Sequence, residues 1–493
     1  MKHLNLILVG SLAPFAACAQ TIPNPQIDSW YTMLSGRYAR VVQVRGGQPT
    51  TTWPSPDLPN FGGGQTLPAY SDVQQVGYSA GWIYVLATGL ASHQMGPWYV
   101  DVQHVLGNWP SNQNLMMRFS RSPRPATQHQ LTGGGAQGLW VNGVAMFNML
   151  DTFAWNSQTM RDEPSMNRPS AIWWRNAVLA EANSFDAGNA HQPPSGQYHY
   201  HDNPVALRAQ LGDHVAIDPL THKYLETNLG GHSKILGWAD DGYPVYGPYG
   251  FANPNDPTSP IVRMRTGYIL RNGQFGTTNL AATGRHSLGH WAAQLHNVAM
   301  QLAPNQFGPN VDQIHPLGIY TEDFDFLGDL GGQVGRDFDL DPFNGRFCKT
   351  PEYPNGTYAY FVTINPDGSP AYPYTIGRQF FGEASGGIVQ KLTEVVTLAR
   401  NAGPFSPTKI LRLTRSGQIA ITFSSVEGGH YKIEASDGTS GNWVLVAQDL
   451  RSAGLTTIYH TDAGYSGPSA IFRITLTSLE PYDVTGRPSS NLP

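Results

Sequence analysis

Apolar and polar positions along this chain change over in short runs, and stretches that hold a helical period are few. Residues 79–88, centred on Trp82-Ile83-Tyr84-Val85, have the residue content of a strand. Residues 138–149 read as two short apolar strands around an Asn142-Gly143 turn, a strong hairpin signal. Residues 170–185 predict a helix: Ile172, Trp173, Ala177, Ala180 and Phe185 fall near one face, with no internal Gly or Pro. Its end delivers Asp186 and His191 to a loop, and Glu181 is expected on its solvated face, with a position facing the site as the alternative. A second helix is predicted over residues 285–300, weakened by Gly289. Aromatic strands over residues 350–382 close the main domain. Further on, residues 409–413, 418–424, 430–435, 443–448, 456–460 and 469–477 alternate between Gly-rich turns, the spacing of a small antiparallel sandwich.

The expected fold class is therefore mainly β: a large, irregular β-rich domain with a few helices, plus a small C-terminal antiparallel β-sandwich. The boundaries are a signal peptide at 1–19, an irregular leader at 20–70 anchored by Trp30 and Trp53, the main domain at 71–390, a linker at 391–407, the sandwich at 408–480 and a tail at 481–493. Composition agrees. Charged residues make up 13%, whereas Gly (54) and Pro (38) are plentiful and aromatics reach 11%, which favours loops and sheets over bundles. A formal net charge of −5 without a long basic run argues against nucleic acid as a partner.

The N-terminus adds a destination. Met1-Lys2-His3 followed by the largely apolar residues 4–17 reads as a secretory signal, with Ala17-Cys18-Ala19 as cleavage site. The alternative is a lipid anchor on Cys18. Either predicts a secreted, periplasmic or extracellular protein, and no later run approaches the ~18 apolar residues of a transmembrane segment. Cleavage after Ala19 leaves Cys348 as the only cysteine, which excludes an intrachain disulfide and leaves a buried, inert thiol as the expectation.

The sharpest chemistry lies in Gly196-Gln197-Tyr198-His199-Tyr200-His201. In an extended strand His199 and His201 point the same way, roughly 6.6 Å apart at Cα, while Tyr198 and Tyr200 cover the other face. Two imidazoles so placed can converge on one metal ion. His191 and His232 are candidates to complete the ligand set, with Asp186 and Asp240 as oxygen donors. Asp241 is a candidate general base, and Tyr198 and Tyr200 are candidates to take part in chemistry at the site. The bland alternative is that histidine and tyrosine alternate because one strand face is buried and hydrogen-bonded. Zinc would activate water; copper would bring redox chemistry. Elsewhere, His286 and His290 share i, i+4 spacing without the Glu of a zinc-protease signature, and packing is their default role. Asp323, Asp325, Asp337, Asp339 and Asp341 alternate with apolar residues and, with Asn344-Gly345, suit either a calcium site or a polar strand surface. No Gly-x-Ser-x-Gly elbow, phosphate-binding Gly-Lys-Thr loop or dinucleotide fingerprint is present.

Tyr198-His199-Tyr200-His201, with Asp186 and His191 before it and His232-Ser233 and Asp241-Gly242-Tyr243-Pro244-Val245-Tyr246-Gly247-Pro248 after it, resembles the YHYH family, named for the tetrapeptide. The likeness runs through residues 138–143 upstream and Asn344-Gly345-Arg346 and the stretch from Pro351 to Tyr358 downstream, covering roughly residues 70–385. The resemblance implies a largely secreted family, an architecture and a site more than an activity. Members often carry cysteines beside these motifs; residues 187–190 and those after His201 carry none here. Two functions follow as expectations. One is an exported enzyme with a mononuclear, histidine-rich metal centre acting on an extracellular small molecule or polymer. The other is a non-catalytic surface or matrix protein with a structural or ligand-binding polar site. The sandwich resembles modules appended to exported bacterial enzymes and is expected to serve attachment.

Overall fold

A computed structural model describes residues 24–32, 36–54, 62–101, 104–165, 170–227, 230–401, 410–416, 418–425, 429–436, 442–453, 456–461 and 471–479. The signal peptide at 1–19, with Cys18, and the tail at 481–493 lie outside the described residues. The chain is β-rich with few helices, as its short alternating runs predict.

An eight-stranded mixed sheet carries the candidate chemistry. Its order is Gly345–Cys348, Thr357–Phe361, Pro244–Tyr246, Ile235–Ala239, Gly138–Trp140, Ala145–Met146, His199–Tyr200 and Ala190–His191. Ile235–Ala239 is buried at every position, as expected of an apolar run covered on both faces. The Asn142-Gly143 hairpin forms: Gly138 opposes Met146, and Gly143 supplies the positive φ (78°) of its turn. A second, five-stranded antiparallel sheet runs Gly387–Ile388, Leu115–Ser120, Trp82–Ala87, Val73–Tyr78 and Thr397–Asn401. Leu115–Ser120 alternates buried and half-buried residues, the period of a strand with one covered face.

Among the described residues, apolar burial divides into three clusters. The first joins both large sheets and contains Trp53, Trp98, Trp140, Trp238, Tyr198 and Tyr200. The second gathers Trp155, Trp173, Trp291, Tyr320 and Tyr372 beneath the loops of residues 265–340. The third belongs to the C-terminal part, where two three-stranded antiparallel sheets bury Ile421, Phe423, Tyr431 and Ile433.

The structure departs from the sequence reading in several places. Residues 170–185 are not one helix. Trp174–Asn176 is a strand paired with Leu150–Asn156, and Asn176 then caps a short helix, Ala177–Glu181, by accepting the Val178 N–H at 3.2 Å. The apolar spacing that suggests a helix serves the strand equally, and the cap decides where the helix starts. The second helix spans only His290–His296, because Gly289 is its N-cap and Ser287 bridges to Gln301. His286 therefore precedes the helix and stacks on Phe307. Within the stretch read as linker, Thr397–Asn401 is an edge strand on Val73–Tyr78, and Arg400 pairs with Asp28 at 2.8 Å. The leader is held by burial: the Trp53 indole donates to Pro110 O at 2.6 Å. At Gly63 (φ 85°) a Cβ would lie 1.5 Å from Trp109 O, so only glycine fits. Among the described residues no helix is long and apolar enough to cross a membrane. Cys348 is buried, and burial raises its pKa.

Candidate metal centre

Strand register builds the site. His199 lies opposite His191 in an antiparallel pair, and opposite Ala145 in a parallel one. Directly opposed residues project from the same face, and His201 follows His199 by one two-residue period. Three imidazoles thus reach one point, with one nitrogen from each inside a group no wider than 4.8 Å. All three residues are buried, and His199 Nε2 lies 3.0 Å from His201 Nε2.

The outward nitrogens fix the ring tautomers. His199 Nδ1 meets Gln197 O at 2.8 Å, and His201 Nδ1 meets Asn148 O at 2.6 Å. Carbonyls only accept, so both Nδ1 atoms carry the proton. His191 Nδ1 meets Ser184 Oγ at 2.7 Å, and that hydroxyl donates its own proton to Glu181 O at 2.6 Å. Ser184 Oγ is left to accept from His191. In the neutral rings all three Nε2 atoms therefore present bare lone pairs to each other. Oxygen acceptors on the far nitrogen are the usual way a ligand histidine is oriented.

Glu181 completes the surroundings. Its Oε2 lies 3.3 Å from His191 Nε2 and 3.1 Å from His201 Nε2, and it is buried without a well-formed hydrogen bond. Phe147 stacks on His199 at 3.8 Å, and Phe185 lies 4.8 Å from the His191 ring and 6.0 Å from His201. Burial and the neighbouring rings push the His199 pKa well down. Burial also lowers His191, against the pull of Glu181. At His201 burial acts downward too, yet contact with Glu181 holds the net pKa above its ordinary value. Burial would raise Glu181, but His191 and His201 hold it well below the usual carboxylate range. Three imidazole nitrogens this close to each other and to a carboxylate attract a cation, either a proton held on His201 or a metal ion. The residues present fit a metal ion.

The other candidates sit elsewhere. Tyr198 and Tyr200 occupy the opposite face of the strand, fully buried; Tyr198 donates to Asp186 at 2.8 Å, and Tyr200 meets His93 Nε2 at 2.5 Å. Neither phenol faces the histidines. Asp186 organises the turn that presents His191: its Oδ1 accepts from Gly188 N at 2.9 Å and Ala190 N at 3.3 Å, and its Oδ2 from Gly96 N at 2.8 Å. Burial raises its pKa to about 6. His232 is not in the cluster; its Nδ1 donates to Ser233 O at 2.8 Å among the rings of Tyr246, Phe251 and Phe361. Nor is Asp241, whose oxygens accept from Tyr243 N at 3.2 Å, Tyr360 OH at 2.6 Å and Gly382 N at 2.9 Å.

Asp240 is also apart from the triad. Its Oδ1 is buried with no hydrogen-bond partner among the described residues, and burial together with the Asp241 charge raises its pKa to about 7. A carboxyl whose folded pKa is raised stabilises the fold below its unfolded pKa, and that contribution is lost as pH rises toward 7. Asp240→Asn is therefore expected to stabilise the protein at pH 8, on the order of 2–4 kcal/mol, with the gain vanishing toward pH 4. Urea unfolding at both pH values checks this; equal midpoints for the two proteins at pH 8 would refute it.

The acidic runs are not a calcium site. Asp323 is bound bidentately by Arg285 (2.7 Å each), Asp325 faces Arg271 at 3.3 Å, Asp337 pairs with Arg336 at 2.7 Å and Asp339 with Arg265 at 2.9 Å. Asp341 accepts from Tyr358 OH at 3.0 Å. Except for Asp337, which pairs with its neighbour Arg336, partners distant in sequence separate carboxylates that look clustered along the chain. His290, in turn, faces Asp329 at 3.3 Å on the surface. Conversely, Glu181 turns into the site rather than to solvent. The sequence reading places it on a helix too long by two turns, which gives the wrong face. Phe147, Phe185 and Ser184 carry no sequence signal of their own, and the carbonyls of Asn148 and Gln197 carry none at all.

A comparison with curated proteins gives no match, and one with solved structures gives none either. The family described as YHYH protein matches residues 116–374, more than half of the 493-residue chain, including His191, His199, His201 and Glu181. This chain belongs to the YHYH protein family.

Proposed function

We infer that the protein is an exported, metal-dependent enzyme whose ion is held by the Nε2 atoms of His191, His199 and His201. One observation carries the reading: each far nitrogen is committed to an oxygen acceptor, so the three Nε2 atoms face one point and are the ring positions left to bind a cation. Three neutral imidazoles suit zinc or copper, and not calcium, which takes oxygen ligands. Three protein ligands also leave a coordination position free, the arrangement of catalytic rather than structural zinc sites. Bound there, zinc supplies Lewis acidity and lowers the pKa of a coordinated water. The protein's own part is to orient the rings through Gln197, Asn148 and Ser184, and to shield the centre with Phe147 and Phe185. Export rests on the apolar signal at residues 4–17.

The test is elemental analysis of protein purified without a metal-affinity step. About one equivalent of zinc or copper per chain is expected, removed by a chelator at acidic pH and restored at neutral pH as ring nitrogens lose competing protons. Protein that stays metal-free in micromolar zinc and copper would show the cluster to be a hydrogen-bonded core feature.

A further inference from the structure

We propose that Glu181 is a general base beside an open coordination position, not a fourth ligand, and that it serves hydrolysis of a neutral carbonyl compound. This deepens, and rests on, the three-histidine centre inferred above. The compact nitrogen group consists of three imidazoles and does not include Glu181. Its Oε2 touches two of them, 3.3 Å from His191 Nε2 and 3.1 Å from His201 Nε2. A fourth tetrahedral ligand would sit over the face of the nitrogen triangle, near all three. Glu181 sits over one edge of it, within reach of whatever occupies that face.

Exposure gives the direction of entry. The His201 side chain is 3% exposed and that of Glu181 26%, with its Oε2 buried, so the Glu181 side chain runs from the surface down to the histidines. Phe147 and Phe185, both half-buried, pack on the His199 and His191 rings and make the surroundings of the centre apolar. Arg175, on the strand that leads into the Glu181 helix, is bound to Asp151 and lies 3.8 Å from Asp162, so it is not held ready for an anion. A carboxylate beside a centre flanked by two phenyl rings favours a neutral substrate. In the step, Glu181 takes a proton from a water molecule at the open face while the water oxygen bonds to the carbonyl carbon. The bond from that carbon to the departing oxygen or nitrogen breaks, and the proton passes from Glu181 to the departing atom. No electron is gained or lost.

The test uses the full chain loaded with cobalt, whose visible bands report ligand geometry, and with zinc. Acetohydroxamic acid, a neutral probe that binds metals after losing a proton, is expected to shift the cobalt bands of the wild type. Glu181→Gln is expected to hold one equivalent of cobalt with unchanged resting bands, yet to bind acetohydroxamate at least tenfold more weakly, with partial recovery in Glu181→Asp. Hydrolysis of 4-nitrophenyl acetate by the zinc form is expected to fall by about 10²-fold or more in Glu181→Gln. Lost metal or altered resting bands in Glu181→Gln would make Glu181 a ligand and overturn the proposal. So would wild-type bands indifferent to the probe, or zinc-loaded wild type without metal-dependent ester turnover. A wild type that binds no cobalt fails earlier, before any probe is added, and defeats the metal centre itself.

Discussion

Replacing His199 by alanine is expected to lower bound metal from about one equivalent to below a tenth, and to abolish the thermal stabilisation that added metal gives the wild type. The first effect follows from the donor count. Losing one of three nitrogens leaves His191 and His201 as a pair, with the Glu181 carboxylate beside both. The second follows from linkage: at free metal a thousandfold above the dissociation constant, binding to the folded state alone adds about 4.1 kcal/mol. Differential scanning fluorimetry with and without zinc reads it as a Tm gain of several degrees in wild type and none in His199→Ala. Tyr198→Phe is the matched control. It removes a hydroxyl bound to Asp186 on the far face of the same strand, so it should weaken the turn at residues 186–190 and leave the metal count near one. If both variants kept their metal, the alternation of faces would still hold but the histidines would not be ligands.

That alternation is also the part of the site most legible in the chain. A two-residue period places His199 and His201 together and Tyr198 and Tyr200 opposite, and the structure has this arrangement. His191 joins through cross-strand register, which depends on a turn built by Asp186 and on the positive φ (70°) of Asn189. Proximity in sequence is suggestive there and nothing more. His232 and the Asp240-Asp241 pair fail for the converse reason. They stand in the same motif-rich stretch, but the strand Ile235–Ala239 carries the chain across the sheet, and their hydrogen bonds close on Ser233, Tyr243, Tyr360 and Gly382. Glu181 reads first as a solvated residue and only second as one facing the site, because a side chain's face within a helix depends on where the helix starts. Asn176 sets that start, and backbone pairing of Trp174–Asn176 with Leu150–Asn156 takes the preceding residues out of the helix. The β-rich class needs no such detail, since short alternating runs and abundant Gly and Pro specify it directly.

The support behind Glu181 gives the second large effect. Arg285→Met is expected to destabilise the protein by about 3–5 kcal/mol, the cost of breaking a buried ion pair by removing one partner. Arg285 is fully buried and bidentate to Asp323, at 2.7 Å on both oxygens. Its remaining donors satisfy carbonyls of one loop: Pro309 at 3.0 Å, Asn310 and His315 at 3.2 Å, and Pro316 at 3.0 Å. Methionine fills similar volume but leaves Asp323 charged and these carbonyls without donors, and unsatisfied buried groups are what make such a loss costly. The damage should not stay local. Asp323 also accepts from Gly318 N at 2.8 Å, while the carbonyls of Gly318 and Ile319 receive the side chain and backbone N–H of Asn176 at 3.0 and 2.7 Å. Asn176 caps the helix that ends in Glu181. Loosening the loop therefore removes the anchor of that helix, whereas the three histidines hang from the sheet and keep their register. Arg285→Met should accordingly lower the denaturant midpoint and reproduce, in the cobalt protein, the weakened acetohydroxamate binding of Glu181→Gln while keeping its metal. A midpoint within 0.5 kcal/mol of wild type would show that the ion pair is dispensable; lost metal would show that the loop supports the histidines as well.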